Sequence, residues 1–242
     1  MRSVVIRGYA VIAYLAFVLT TLWAAGFLAD RLAPTTVDGS ARGPVWTSLL
    51  IDGALLLVFA VQHTVMARAG FKRHLPRAVE RSTYVLAASL ALSLVFWQWR
   101  SVPTVVWSVT DQPWPALIWF AYGLGWLIVF AVTFMIDHWD FVGLRQTLAS
   151  YRAPGFKERW LYAWVRHPLM LGLLITFWAT PHLSVGRLFF AAAGSAYIAI
   201  GIRFEERDLR RHLGTVYDDY AQRVPALVPT PRRLPQPHRE LG

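Results

Sequence analysis

Val165-Arg166-His167-Pro168-Leu169-Met170-Leu171-Gly172 opens an apolar hairpin that Arg203-Phe204-Glu205-Glu206-Arg207 closes. The first arm, 168–181, and the second, 185–202, are parted only by a Pro181-His182-Leu183-Ser184 turn. Both arms are apolar and both outer ends are charged. A helical pair of this kind enters and leaves a low-polarity medium on one side, with the first arm short for a full crossing.

The rest of the chain agrees with a bilayer setting. Of 242 residues, 56% are hydrophobic, twelve are tryptophan, none is cysteine, and the formal net charge is +10. That composition points to an integral membrane protein of one domain, 1–242. A spanning helix needs roughly 20 predominantly apolar residues. The stretches 8–29, 46–66, 83–100 and 115–136 satisfy this.

Lys and Arg concentrate in cytoplasmic loops. Here 20 of the 24 fall in the N-terminus, 67–82, 137–167 and the tail from 203, leaving Arg31, Arg42, Arg100 and Arg187 elsewhere. These four basic regions share a side only if the chain crosses an even number of times between 167 and 203. The expected fold is therefore an all-α integral membrane protein of about six membrane helices, the last two a hairpin, with both termini cytoplasmic and a cytoplasmic C-terminal helical cap. Residues 137–230 form the cofactor-binding half, and the Pro-rich stretch 225–242 reads as an extended tail. The first apolar run is long for a signal peptide, and Leu28-Ala29-Asp30-Arg31 is a poor cleavage site, so it reads as a retained span.

Several classes of function fall away. Without cysteine there is no disulfide, Cys-zinc site or Cys nucleophile. Seven histidines without paired ligand spacing make no metal site. The basic residues track membrane boundaries, which suits anionic lipid headgroups rather than nucleic acid. Charged residues gather at one face rather than the midplane, against a transporter.

Ionisable residues in or beside apolar spans are the functional candidates. Asp52 lies in the outer part of the second span, and Gln62-His63-Thr64-Val65-Met66-Ala67-Arg68 at its inner end. His63 either orients a ligand or accepts a proton, or it is a packing residue bonded to backbone. Arg68 is either a basic anchor or a partner for a cofactor carboxylate. Asp137-His138-Trp139-Asp140-Phe141-Val142-Gly143-Leu144-Arg145-Gln146 is expected to fold back under the bundle, with Gly143 allowing a turn. Trp139 and Phe141 are alternatively interfacial anchors.

Pro168 suits the first turn of a helix, whose free N–H groups attract anions beside Arg166 and His167. Gly172, one turn on, would admit a flat ligand against the backbone. Glu205 and Glu206 suit ribose hydroxyls and positive charge, or else a salt-bridged helix exit framed by Arg203 and Arg207. Together the two ends of the hairpin make a cleft for a zwitterionic nucleoside, and S-adenosylmethionine has the required carboxylate, ammonium, sulfonium and diol.

Arg166, His167, Pro168, Gly172, Glu205 and Glu206 resemble the Arg-His-Pro-x-Tyr-x-Gly segment and Glu-Glu pair of the membrane methyltransferase superfamily that includes isoprenylcysteine carboxyl methyltransferase and phospholipid N-methyltransferases. The likeness continues through Leu209, Gly214, Tyr217, Tyr220 and Pro225. Met170 stands where that family usually has tyrosine. This departure is similar to bacterial methanethiol S-methyltransferases, which belong with nurim-like membrane proteins; so are residues 62–68, Glu80-Arg81-Ser82-Thr83-Tyr84-Val85-Leu86 and 141–146. The resemblance runs from roughly residue 45 to 230.

The resemblance implies a bacterial inner-membrane enzyme that methylates methanethiol to dimethyl sulfide with S-adenosylmethionine, with hydrogen sulfide as a further acceptor. Arg166, His167, Pro168, Gly172, Glu205 and Glu206 would then hold the cofactor, and His63 or His138 would serve as base or thiolate-orienting group. The alternatives are a membrane methyltransferase of a lipid-like substrate and a non-catalytic nurim-like accessory protein. Beyond a small volatile thiol and membrane lipid, no partner is indicated.

Overall fold

The computed structural model describes residues 2–148 and 160–229. Nine helices occur among them: α1 (Arg2–Ala29), α2 (Val45–Ala67), α3 (Ala69–Lys72), α4 (Glu80–Gln98), α5 (Trp114–Ile136), α6 (His138–Phe141), α7 (Pro168–Trp178), α8 (Val185–Leu213) and α9 (Thr215–Arg223). Two short strands, β1 (Val105–Ser108) and β2 (His182–Ser184), complete the set with two 3-10 turns.

Six of these helices close into a ring. Around it α1 packs on α4, α4 on α2, α2 on α8, α8 on α7 and α7 on α5. Tyr122 of α5 closes the circle by donating to the Ala25 carbonyl of α1 at 2.6 Å. Among the described residues, four helices are long and apolar enough to cross a membrane: Val4–Ala29, Val45–Ala67, Trp114–Met135 and Val185–Leu213. The other two expected membrane segments are present as helices of a different kind. Helix α4 has 19 residues but begins with the polar run Glu80-Arg81-Ser82-Thr83. Helix α7 has 11 residues and so spans about 16 Å, half of a hydrocarbon core.

One end of the ring, here called the hairpin end, carries the apolar core. Phe27, Leu28, Val37, Val95, Phe96, Trp99, Tyr122 and Phe190 pack there. The chain leaves α1 sharply, with Asp30 and Leu32 at positive φ and Arg31 N donating back to Gly26 O at 3.0 Å. A Cβ on Gly26 would lie 2.6 Å from Arg31 O, so this exit requires glycine. The expected turn at 181–184 is instead mostly strand: β2 pairs antiparallel with β1, Val105 opposite Ser184 and Ser108 opposite His182. Backbone polar groups at an apolar boundary must find partners, and the β-prone Val105-Val106-Trp107 supplies them.

A buried cation anchors this end. Arg187, 1% exposed, reaches Asp30 at 2.7 Å and Asp38 at 3.4 Å and donates to the Leu28 carbonyl. Ser184 caps α8 by accepting from Arg187 N at 3.0 Å. Asp52, fully buried, accepts the backbone N–H of Arg100 at 2.9 Å, which satisfies a donor at the end of α4.

At the opposite, basic end, α8 runs on beyond the bundle to Leu213. Gly214, at φ +55, turns the chain into α9. Tyr217, Tyr220 and Val224 of this cap pack on Leu209 and Leu213. Of the expected extended tail, 225–229 lies beside the start of α7, with Arg166 N donating to Pro225 O at 2.9 Å and His167 N to Ala226 O at 3.0 Å. The remainder, 230–242, lies outside the described residues, as does 149–159 of the cofactor-binding half.

Candidate functional site

The two ends of the hairpin meet. Pro168 occupies the first turn of α7, as its fixed φ and missing N–H favour, and His167 precedes it as the cap residue. Arg166 donates Nε and Nη2 to Glu206 Oε1 at 2.9 and 2.6 Å. Its Nη1 donates to the carbonyls of Ala221 and Val224 at 2.9 and 2.6 Å. Glu206 Oε1 also lies 3.2 Å from His167 Nε2, and Oε2 accepts from Arg210 at 3.3 Å. The frame anticipated from Arg203 and Arg207 is thus replaced by Arg166, His167 and Arg210. Arg210 stands one turn beyond Glu206, a spacing that signals such a pair.

These contacts separate the two glutamates. Glu206 and Arg166 are largely buried and mutually satisfied, so neither offers a free charge to a ligand. Glu205 differs: its side chain is 51% exposed, with Oε2 3.5 Å from His167 Nδ1. By helical periodicity Glu205 continues the face of Arg187, Ala191 and Ile198, all buried. The buried face of α8 therefore opens to water at Glu205, next to the N-terminus of α7. A half-exposed carboxylate, able to accept from hydroxyl groups, and a helix N-terminus, able to attract an anion, thus stand side by side.

Gly172 is placed otherwise than the cleft reading required. A Cβ there would lie 2.8 Å from Gly125 O, 2.9 Å from Val129 Cγ2 and 3.1 Å from Ile128 Cγ2. A Cβ on Gly125 would likewise lie 2.9 Å from the Gly172 carbonyl. The missing side chain admits helix α5, not a ligand.

The 137–146 segment folds back as expected. Asp137 takes φ 144, its carboxylate accepts from Asp140 N at 3.2 Å, and Gly143 takes φ +85 against Ser82. Arg81 of α4 pairs with Asp140 at 2.9 Å and Gln146 accepts from Arg81 N at 3.1 Å. His138 is buried within this fold. Its Nδ1 lies 2.9 Å from Thr133 Oγ1, its Nε2 3.2 Å from Tyr14 Oη, and its ring stacks on Phe134 at 4.4 Å. Burial pushes its pKa down. Both nitrogens are engaged, so His138 joins α1 to α5 and has no edge left for a substrate. Trp139 is exposed, while Phe141 packs edge-on to Phe17 at 6.2 Å.

His63 faces inward between α2, α4 and α8. Its Nε2 lies 2.6 Å from Tyr84 Oη, and the rings of Tyr84, Phe59 and Tyr197 surround it at 4.9, 5.2 and 6.2 Å. Its Nδ1 is buried without a partner among the described residues. Arg68 behaves as an anchor: it pairs with Asp208 at 3.4 Å and lies over the Phe204 ring at 4.7 Å. Tyr84, Tyr197 and Phe59 escaped the reading of the sequence as site residues, because an aromatic in an apolar span carries no local mark of the pocket it lines.

No family model matches the chain, and no solved structure matches it. Curated relatives do. It is 44% identical over 234 residues to methanethiol S-methyltransferase of Mycobacterium tuberculosis, covering 93% of this chain and 96% of that protein. It is 46% identical over 233 residues to methanethiol S-methyltransferase 2 of Bradyrhizobium diazoefficiens, covering 91% and 88%. Nurim of Rattus norvegicus is 31% identical over 184 residues, covering 69% and 70%. With identity of this level over more than nine tenths of its length, the chain belongs to the methanethiol S-methyltransferase family of membrane proteins.

Proposed function

We propose that the protein transfers a methyl group from S-adenosylmethionine to methanethiol, producing dimethyl sulfide, and accepts hydrogen sulfide in the same way. In this reading the chain crosses a bacterial inner membrane six times, with both termini and the α8–α9 cap in the cytoplasm. The short α7 and polar-headed α4 complete the bundle beside the four long spans. The relatives named for this reaction support it, over more than nine tenths of the chain. The geometric observation that carries it is the half-exposed Glu205 beside His167 at the start of α7.

When bound, S-adenosylmethionine supplies an activated methyl group on a sulfonium. Glu205 accepts hydrogen bonds from the ribose hydroxyls and favours the positive charge, and the first turn of α7 attracts the carboxylate. Arg166, His167 and Glu206 hold those two elements in register, Pro168 starts the helix that presents its N–H groups, and Gly172 seats that helix on α5. His63 orients the thiol sulfur. Because the thiolate is the nucleophile, the chain's task is to align it and keep water away; alignment supplies roughly 7–11 kcal/mol in favourable cases. No residue cluster able to hold a metal is found among the described residues.

The test is headspace gas chromatography on detergent-solubilised protein given S-adenosylmethionine and methanethiol, beside a Glu205→Ala control. Dimethyl sulfide from the unaltered protein alone is the expected result. Cofactor binding without product points to a larger, lipid-like acceptor. Failure to bind the cofactor places the chain with nurim as an accessory membrane protein.

A further inference from the structure

We infer that the acceptor sulfur binds against the Nδ1 edge of His63, and that Tyr84 is the positioning residue that keeps that edge a hydrogen-bond donor. This rests on the methyl-transfer reading above and adds to it where the thiol sits and which tautomer receives it.

Proton counting decides the tautomer. Among the described residues, the Tyr84 hydroxyl has one hydrogen-bond partner, His63 Nε2, at 2.6 Å. The Tyr197 hydroxyl is taken up 3.2 Å away by Thr64 Oγ1. If Nε2 carried the hydrogen, the Tyr84 O–H and the Nδ1 lone pair would both be stranded in an apolar box. If Nδ1 carries it, Tyr84 donates to Nε2 and a single group is left over, the Nδ1–H. The second arrangement strands less, so His63 presents a buried, unpartnered N–H. An orphan donor in a native interior calls for an explanation, and the acceptor atom of a bound ligand supplies one.

An N–H donor walled by Phe59, Tyr84 and Tyr197 suits a small anion with an apolar substituent, which is what an alkyl thiolate is. The thiol enters ionised, its proton left in bulk water. One lone pair of its sulfur forms the new bond to the methyl carbon as the bond from that carbon to the sulfonium sulfur breaks, with its electron pair staying on the departing sulfur. His63 therefore steadies the anion and takes no proton. Helix α8 runs from the box toward Glu205. Tyr197, Gly201 and Glu205 stand four apart on one face of α8, a strip about 12 Å long, and nothing lies within 4 Å of a Cβ placed on Gly201.

The test is nitrogen NMR of histidine-labelled full-length protein in micelles, with the His63 signals assigned by their loss in His63→Asn. Expected are a protonated Nδ1 and an unprotonated Nε2 in the unaltered protein, and a shift of Nδ1 on adding methanethiol. Tyr84→Phe should move the hydrogen toward Nε2 and raise the KM for methanethiol by about tenfold, the effect of one hydrogen bond, with cofactor Kd unchanged. A neutral His63 protonated at Nε2 in the unaltered protein, or one whose Nδ1 ignores methanethiol, overturns the inference. Both readings are taken without turnover, so they stand apart from a failure to make dimethyl sulfide. Should Tyr84→Phe not fold, the spectra of the unaltered protein decide.

Discussion

Arg166 gives two of its nitrogens to a single oxygen of Glu206, at 2.9 and 2.6 Å, across forty positions of chain. This bond ties the first turn of α7 to the charged extension of α8, while the third arm of the guanidinium holds the end of α9. Removing one partner of a buried ion pair leaves the other charged and unpaired. Glu206→Ala should therefore lower stability by about 3–5 kcal/mol, read as a depressed thermal midpoint in detergent. Arg166→Lys should keep only part of that stability, since one ammonium cannot serve Glu206 and two carbonyls together.

Glu205 should behave in the opposite way. It is half exposed and, among the described residues, its one side-chain partner is His167 at 3.5 Å, so Glu205→Ala should leave the thermal midpoint nearly unchanged. Calorimetric titration should show S-adenosylmethionine binding weakened by about tenfold or more. Equal binding in the two proteins would remove Glu205 from the cofactor site.

Gly172 and Gly125 meet backbone to backbone. Adding a methyl group to either forces α5 and α7 apart, so Gly172→Ala and Gly125→Ala should each cost about 1–3 kcal/mol in thermal melts. The discriminating case is Gly125→Ala. Residue 125 belongs to none of the motif residues, and a similar loss there assigns Gly172 to helix packing rather than to ligand access.

At the hairpin end, burial holds the Asp30 carboxyl above its ordinary range, opposed by Arg187. Arg187→Met removes the opposing cation and raises Asp30 further above its unfolded value. Folding then favours the protonated form. The variant should be destabilised most at neutral pH, and the deficit should shrink as pH falls through the raised pKa. Thermal melts of both proteins from neutral to mildly acidic pH check the sign; a deficit that widens on acidification contradicts it.

Much of the architecture was legible in the residue order. Long apolar runs must bury their backbone polarity in helices, so α1, α2, α5 and α8 were readable from composition, and Pro168 marked the start of α7. The charged residues at 166–167 and 205–206 announced that both ends of the hairpin share a face. What residue order left open was which charge meets which. Glu205 and Glu206 are adjacent and chemically alike, yet a 100° turn of helix sends one into a closed knot with Arg166 and leaves the other toward water. His63 and His138 are likewise two histidines at helix ends. Packing of α1 and α5 around His138 fills both its nitrogens, whereas α4 and α8 bring tyrosines to His63 and leave one nitrogen unmet. The strand pairing of 105–108 with 182–184 was hidden for the same reason. Local sequence determined where this chain is apolar, where it turns and where its charges lie, because those depend on each segment's own chemistry. The tertiary structure alone decided which polar groups are spent on one another and which remain to meet a ligand, because hydrogen bonds and ion pairs are made between segments that only folding brings together.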